Sequence, residues 1–377
     1  IKQRPRDLLR RRLIMKARDY SGIHIFSMKS GTFIYSHSKE SRKKQEKRPN
    51  PILIKNNDYT MDREFYELCM SEDQVKVLKE IEKLDEIDYL LITADRGRGK
   101  SASIGIGITG FAKFKAKESQ RPLDIIITAP EPSNVNEVFK FIKKAHDRCS
   151  LSCHFENLEC RSNILRAKYY SVFDALNTEG DILVIDEAAG LQFPILNRLI
   201  EKHRKIIFLT TIHGYEGSGR TFSYRFIPLL KKSGKKFIWI KMRIPIRYAK
   251  NDPVEKWLYD SLLLNAEPID INAEWLNEIS RNFQLVQYEQ YNLVRRENIL
   301  RNYFGILVSA HYRNNPNDLL MLLDAPHHYA YALEVEGKIL VALQISDEGN
   351  IPESLVNVFY ETAPSGHIIP VSYTHLR

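Results

Sequence analysis

At 377 residues with 43% hydrophobic side chains, the chain has room for two domains, or a large one and part of another, built on ordinary soluble cores. No apolar run reaches membrane-spanning length, which excludes helical membrane proteins and leaves a cytoplasmic protein as the expectation. A net charge of +9 suits a polyanionic partner, although a basic balance alone is common.

Residues 1–65 read as a basic N-terminal remnant and linker, with positive charge crowded at Arg4–Arg12 and Lys39–Arg48. Ile23–Phe26 and Thr32–Tyr35 are expected as short strands. Ser38–Asn50 is polar and basic, a loop open either to nucleic acid or simply to solvent. Leu68–Leu84 then carries Leu68, Val75, Leu78, Ile81 and Leu84 near helical spacing. Ser71-Glu72-Asp73-Gln74 supplies an N-cap with Gln three residues on. Two roles compete for Gln74: the return bond of that cap, and the reading of an adenine edge by its amide.

The chain is organised around Leu90–Ser101. An apolar run ends in the glycine-bearing turn Asp95-Arg96-Gly97-Arg98-Gly99, closes on Lys100-Ser101 and opens into a helical stretch, Ala102–Lys115. Gly97 and Gly99 let backbone N–H groups face a polyphosphate, and the helix N-terminus adds positive potential. Lys100 is expected on the β- and γ-phosphates of ATP and Ser101 on Mg²⁺. The pattern departs from G-x-x-x-x-G-K-[ST] at its first position, where Ala94 stands. The competing reading, a basic surface turn beside a buried strand, does not account for strand, Gly-x-Gly-Lys-Ser and helix in that order.

Alternation of strand and helix continues. Leu123–Ala129 and Asn163–Lys168 are expected strands, and Asn134–Arg148 an amphipathic helix. Cys149, Cys153 and Cys160 stand near His146 and His154, but without a C-x₂-C pair they read as reduced thiols rather than zinc ligands. Asp181–Ile185 is an apolar strand leading into Asp186 and Glu187, about 85 residues after Ser101. In that position Asp186 holds Mg²⁺ through water and Glu187 orients or deprotonates the attacking water. Lys205–Thr211 is a further buried strand. It enters a loop with three glycines within six residues, Gly214, Gly217 and Gly219, that ends at Arg220. The threonines at the strand end suit a γ-phosphate sensor. Arg220 reads equally as a source of transition-state charge and as a solvated side chain.

Phe222–Lys232 and Pro253–Leu264 are expected helices, and Lys236–Ile244 an edge strand. Past Ala273 the pattern changes to helices over 274–288 and 291–311, a short helix over Asn317–Leu323, and a hairpin of Tyr329–Val335 and Lys338–Ile345 about Glu336-Gly337. The fold class is therefore α/β: a RecA-like P-loop domain with a parallel sheet over 66–272, then an α+β domain over 273–370. Residues 371–377 do not continue the pattern and read as a sequence artefact, and the chain reads as an internal fragment of a longer protein.

Thr93–Ala102, Asp186–Ala189 and Thr210–Arg220 resemble the corresponding motifs of the tRNA(Met) cytidine acetyltransferases and their eukaryotic rRNA and tRNA relatives, in which Ala also stands at the first loop position. Asp95 departs from that family, which more often has Ala there. Ile246-Arg247-Tyr248 with Asp252–Leu258, His311-Tyr312-Arg313 with Asn315–Leu319, and Leu323–Pro326 extend the resemblance over about residues 70–370. The resemblance implies a helicase-like ATPase joined to a GNAT acetyltransferase that acetylates the wobble cytidine N4 of elongator tRNA(Met), using acetyl-CoA and ATP. It implies nucleotide contacts from Gln74, from Gly97, Arg98, Gly99, Lys100, Ser101 and Ala102, and from Arg220. The family's acetyl-CoA loop lies beyond Pro370, so the fragment is expected to act as an ATPase only. The rival expectation is an RNA-stimulated ATPase or helicase without acetyl chemistry.

Overall fold

The structure is a computed structural model and describes residues 6–36, 59–119, 121–211, 219–269, 283–310, 316–347 and 373–374. By packing, the chain divides into two units, residues 38–256 and residues 1–37 with 257–377. Among the described residues no helix is long and apolar enough to cross a membrane.

Unit 1 begins with α1 (Leu8–Ala17) and the antiparallel hairpin β1 (His24–Ser27) and β2 (Thr32–Ser36). The sequence pattern anticipates the two strands but not the helix. A helix so rich in arginine forms here because its charges find partners. The Arg12 guanidinium is buried, donating to Glu297 at 2.6 and 2.9 Å and to the carbonyls of Asp260 and Ser261 at 2.8 Å. The Asp324 carboxylate accepts from the Leu8 and Leu9 amides at the helix start.

Residues 38–256 hold α2 (Arg63–Glu67), α3 (Glu72–Ile81), β3 (Tyr89–Ala94), α4 (Lys100–Ser119), β4 (Leu123–Thr128), α5 (Asn136–Arg148), β5 (Cys153–Glu156), β6 (Glu159–Ser162), β7 (Leu165–Tyr169), α6 (Val172–Ala175), β8 (Ile182–Ile185), α7 (Phe193–Lys202), β9 (Ile206–Thr211), α8 (Gly219–Lys232) and β10 (Phe237–Met242). One eight-stranded sheet runs β10-β3-β9-β8-β4-β7-β6-β5. From β10 to β7 all pairings are parallel, and β6 and β5 add an antiparallel edge. The expected strand Lys236–Ile244 is the opposite edge.

Strict alternation divides the buried strands between two cores. Leu90, Ile92, Ile125, Ile127, Val184 and Ile207 pack toward the side of α3, α4 and α5. Tyr89, Leu91, Ile126, Leu183, Ile185 and Phe208 pack with Leu196 and Leu199 of α7 and Phe226 and Leu230 of α8. A sheet covered on both faces explains why β3, β8 and β9 are buried throughout and mostly apolar. Helix α4 is buried from Ala102 to Ala112. It is held close by small residues: a Cβ at Gly105 would lie 2.4 Å from the Val138 carbonyl oxygen of α5, and one at Gly107 2.3 Å from Ile81 Cδ1 of α3.

Helix α9 (Pro253–Ser261) ends at Ser261, three residues short of the expected Leu264. The C-terminal part of unit 1 contains β11 (Gln284–Tyr288), α10 (Gln290–Arg295), α11 (Glu297–Ala310), α12 (Pro316–Asp324), β12 (His328–Val335), β13 (Lys338–Ser346) and β14 (Tyr373–Thr374), with sheet order β11-β12-β13-β14. The hairpin is as expected, turning at Glu336 (φ 50°) and Gly337 (φ 74°). The expected helix over 274–288 is corrected at its end: Gln284–Tyr288 is a strand paired with β12, and residues 270–282 lie outside the described residues. The single helix expected over 291–311 is two, broken at Arg296 (φ −101°, ψ 79°). Leu8 joins Tyr288, Leu293, Leu300, Tyr303 and Leu322 in the core of this unit.

Candidate nucleotide site

The turn after β3 is built by two left-handed glycines, Gly97 (φ 78°) and Gly99 (φ 81°), and α4 begins at Lys100. Two neighbours clamp it. The Gly97 carbonyl accepts from the amides of Ile246 and Arg247 at 2.8 and 3.0 Å. Gln74 Nε2 donates to the Gly99 carbonyl at 3.1 Å, while Gln74 Oε1 accepts from the Met70 amide at 2.7 Å. The Gln74 amide N–H donates to Ser71 Oγ at 3.3 Å, so the N-cap forms; the side chain, however, turns to the loop instead of closing a capping box. The Gln74 side-chain amide thus bridges the Met70 backbone and the Gly99 carbonyl.

The acid doublet follows β8, one strand removed from β3 across β9. Ser101 Oγ donates to Asp186 Oδ2 at 2.7 Å, and the Glu187 amide donates to Asp186 Oδ1 at 2.9 Å. The Lys100 ammonium donates to Glu187 and, at 2.9 Å, to Thr211 Oγ1. The Thr211 hydroxyl and Glu187 carboxylate are in turn 2.9–3.0 Å apart. Thus the loop lysine and serine, the two carboxylates and the last residue of β9 form one polar cluster. Burial lifts Asp186 above the ordinary carboxylate range, and the nearby Lys100 charge only partly opposes it. Glu187 stands in the left-handed region (φ 51°, ψ 49°), a conformation non-glycine residues occupy at some cost and often at working sites.

Arg98 is tied into the protein around the loop. It donates to Glu255 Oε1 at 2.5 Å and to the Arg96 carbonyl at 3.0 Å, and its Nε is buried without a hydrogen-bond partner. Arg220 falls in the first turn of α8. A cavity of about 430 Å³ opens over the loop, lined by residues 95–102, Gln74 and Glu187 and bordered by Leu68, Met70, Phe141 and Arg247. Ala102 lines it from the helix. Gln74, Gly97, Arg98, Gly99, Lys100, Ser101, Ala102 and Glu187 are thereby brought together, and Asp186 touches Ser101 from beneath.

Two side-by-side hard oxygen donors, the Ser101 hydroxyl and the Asp186 carboxylate, fit a Mg²⁺ ion, and the raised proton affinity of Asp186 is that of a buried carboxylate short of positive charge. Sequence reasoning missed Glu255 as the partner of Arg98 and residues 246–247 as the second clamp. It also missed Asp73, whose Oδ2 accepts from the Arg243 and Ile244 amides at 2.6 and 2.9 Å and so anchors the segment carrying that clamp.

Residues 91–265 match the family "RNA cytidine acetyltransferase NAT10/TcmA, helicase domain", and residues 302–375 match "GNAT acetyltransferase 2". Among curated proteins, the tRNA(Met) cytidine acetyltransferase TmcA of Methanopyrus kandleri is 37% identical over 96% of this chain and 44% of its own length. The proteins of the same name from Thermofilum pendens and Pyrococcus furiosus are 36% and 39% identical over 96% of this chain, and over 46% and 45% of their own lengths. The chain therefore spans less than half the length of these relatives. Of solved structures, a large terminase from a thermophilic bacteriophage aligns with 50% of this chain and 50% of its own at 9% identity, with a TM-score of 0.40. With the loop, the acid doublet and both matched regions in place, the chain is similar to the helicase-like and GNAT regions of the RNA cytidine acetyltransferases.

Proposed function

We propose that residues 66–256 are an ATPase module and that, in the whole protein, its cycle serves acetylation of cytidine N4 in tRNA(Met), with acetyl-CoA as acyl donor. The observation that carries this reading is the Ser101–Asp186 and Lys100–Glu187 pairing, which joins a phosphate loop to two carboxylates at the ends of parallel strands. The relatives' name supplies the RNA substrate, and the match over 302–375 supplies the acetyl chemistry.

In the cycle, the Gly97–Ala102 backbone cradles the triphosphate and Lys100 leaves Glu187 for the β- and γ-oxygens. The base lies against Leu68, Met70 and Phe141. Ser101 and Asp186 hold Mg²⁺, which when bound neutralises phosphate charge. Glu187, freed from Lys100, takes a proton from the attacking water, and Thr211 positions its carboxylate. Arg220 supplies positive charge to the transferring phosphoryl group. Product release returns Lys100 to Glu187. A cytidine amine stacked in an RNA loop is hidden, and nucleotide turnover provides the work of exposing it.

The test is an ATPase assay on this chain with and without tRNA(Met), beside Lys100→Ala. The expected result is Mg²⁺-dependent hydrolysis stimulated by tRNA and abolished in the variant. Hydrolysis unchanged in Lys100→Ala overturns the site assignment, and indifference to every RNA overturns the coupling.

A further inference from the structure

At the antiparallel edge of the sheet, well away from the loop in sequence and serving none of the roles above, a second cluster of chemistry-bearing side chains converges. His146 lies in the last turn of α5, Cys153 opens β5 and Cys160 lies in β6. One ligand atom from each lies within 4.8 Å of the other two. His146 and Cys160 are fully buried, and Cys153 is partly so. No C-x₂-C spacing announces the cluster, because the fold makes the short separations. The β5–β6 register pairs Cys153 with Ser162 and Phe155 with Cys160, so the two sulfurs are diagonal neighbours on the face turned to α5. All four cysteines of the chain are free thiols.

The imidazole is already held as a ligand would be. His146 Nδ1 lies 2.9 Å from the Ile142 carbonyl and donates to it, which leaves Nε2 with its lone pair. Nε2 is 3.1 Å from Ser162 Oγ, and that hydroxyl has a second acceptor, the Leu165 carbonyl at 3.2 Å, to which its proton turns when Nε2 is engaged. We propose that His146, Cys153 and Cys160 bind one Zn²⁺ ion. Two thiolates and an imidazole are the donor set of a borderline-soft cation in tetrahedral geometry, with water in the fourth position on the side of the less enclosed Cys153. Coordination replaces two S–H protons, which leave to solvent, by one divalent cation. The filled site therefore carries no net charge, as a buried site requires. The ion staples the β5–β6 edge to α5, and its role is structural.

The chain, stripped with chelator under reducing conditions, is titrated with Co²⁺ as spectroscopic probe. The expected result is saturation at one equivalent, with the visible bands of tetrahedral cobalt and a thiolate charge-transfer band, both erased by Zn²⁺. Cys153→Ser and Cys160→Ser are expected to remove this stoichiometric binding, and Cys149→Ser to retain it. Should Cys160→Ser fail to fold, the less buried Cys153→Ser decides. Absence of saturable uptake, a cobalt spectrum indifferent to Cys153→Ser, or a Cys153–Cys160 disulfide in the protein isolated without reductant overturns the proposal.

Discussion

The Lys100 ammonium is bonded to the Glu187 carboxylate, the group proposed above to accept a proton from water. A phosphate entering the loop therefore competes with Glu187 for Lys100. Glu187→Gln removes both the base and the competitor. Its turnover is expected to fall about 100-fold or more, the usual worth of a positioned base, while ATP binds more tightly than to the parent. Steady-state hydrolysis and a fluorescent-nucleotide titration check the two halves. Lost binding together with lost turnover would make Glu187 a structural partner of Lys100 and nothing more.

Gln74 uses its amide oxygen on Met70 and its amide nitrogen on Gly99. Replacement by Ala removes one of two bonds to the Gly99 carbonyl, which keeps that from the Ser103 amide, and unpairs the part-buried Met70 amide, at a cost of about 1 kcal/mol. Gln74→Ala is expected to weaken ATP and GTP alike, by a similar factor. Parallel titrations with the two nucleotides distinguish this from base reading, which would spare GTP.

Gly105 brings α4 against α5. Alanine is the better helix former by roughly 0.5–1 kcal/mol, yet its Cβ would meet the Val138 carbonyl, and overpacking of that kind costs about 1–3 kcal/mol. Gly105→Ala is therefore expected to lower the urea midpoint of the ATPase unit. A raised midpoint would show that the two helices are free to part.

Unit 1 is expected to be acid-labile through His328. Burial, together with the charges of His327 and Arg6, lowers this imidazole from 6.5 to about 4, and its Nδ1 accepts from Gln344 Nε2 at 2.6 Å. The fold favours the neutral ring, whereas the unfolded chain takes up the proton near pH 6.5. The stability His328 contributes is full above that pH and is lost as pH falls toward 4. Chemical denaturation across this window checks it, and His328→Gln is expected to flatten the dependence.

Much of the nucleotide site is legible in sequence because its chemistry demands residue types in fixed local order: glycines, lysine and serine in one turn, two carboxylates after one apolar strand. The strands β3, β4, β8 and β9 are legible because a sheet covered on both faces leaves few polar positions to blur the run. What escapes is set by distance along the chain. Glu255 captures Arg98 from 157 residues away, and Glu297 stabilises an arginine-rich helix from 285 residues away. Strands β5, β6 and β11 are four or five residues long and half exposed, too short to assert a period of two.

Helix α4 meets α5 at Gly105, α3 at Gly107 and the α2 region at Gly110, where an added Cβ would lie 2.7 Å from Met61 Sδ. Gripped on three sides, α4 carries the Lys100–Ser101 end of the loop on a closely packed base. On the proposed ATPase reading, the adjustable parts of the site are then side chains, those of Lys100, Glu187 and Thr211, rather than the helix beneath them.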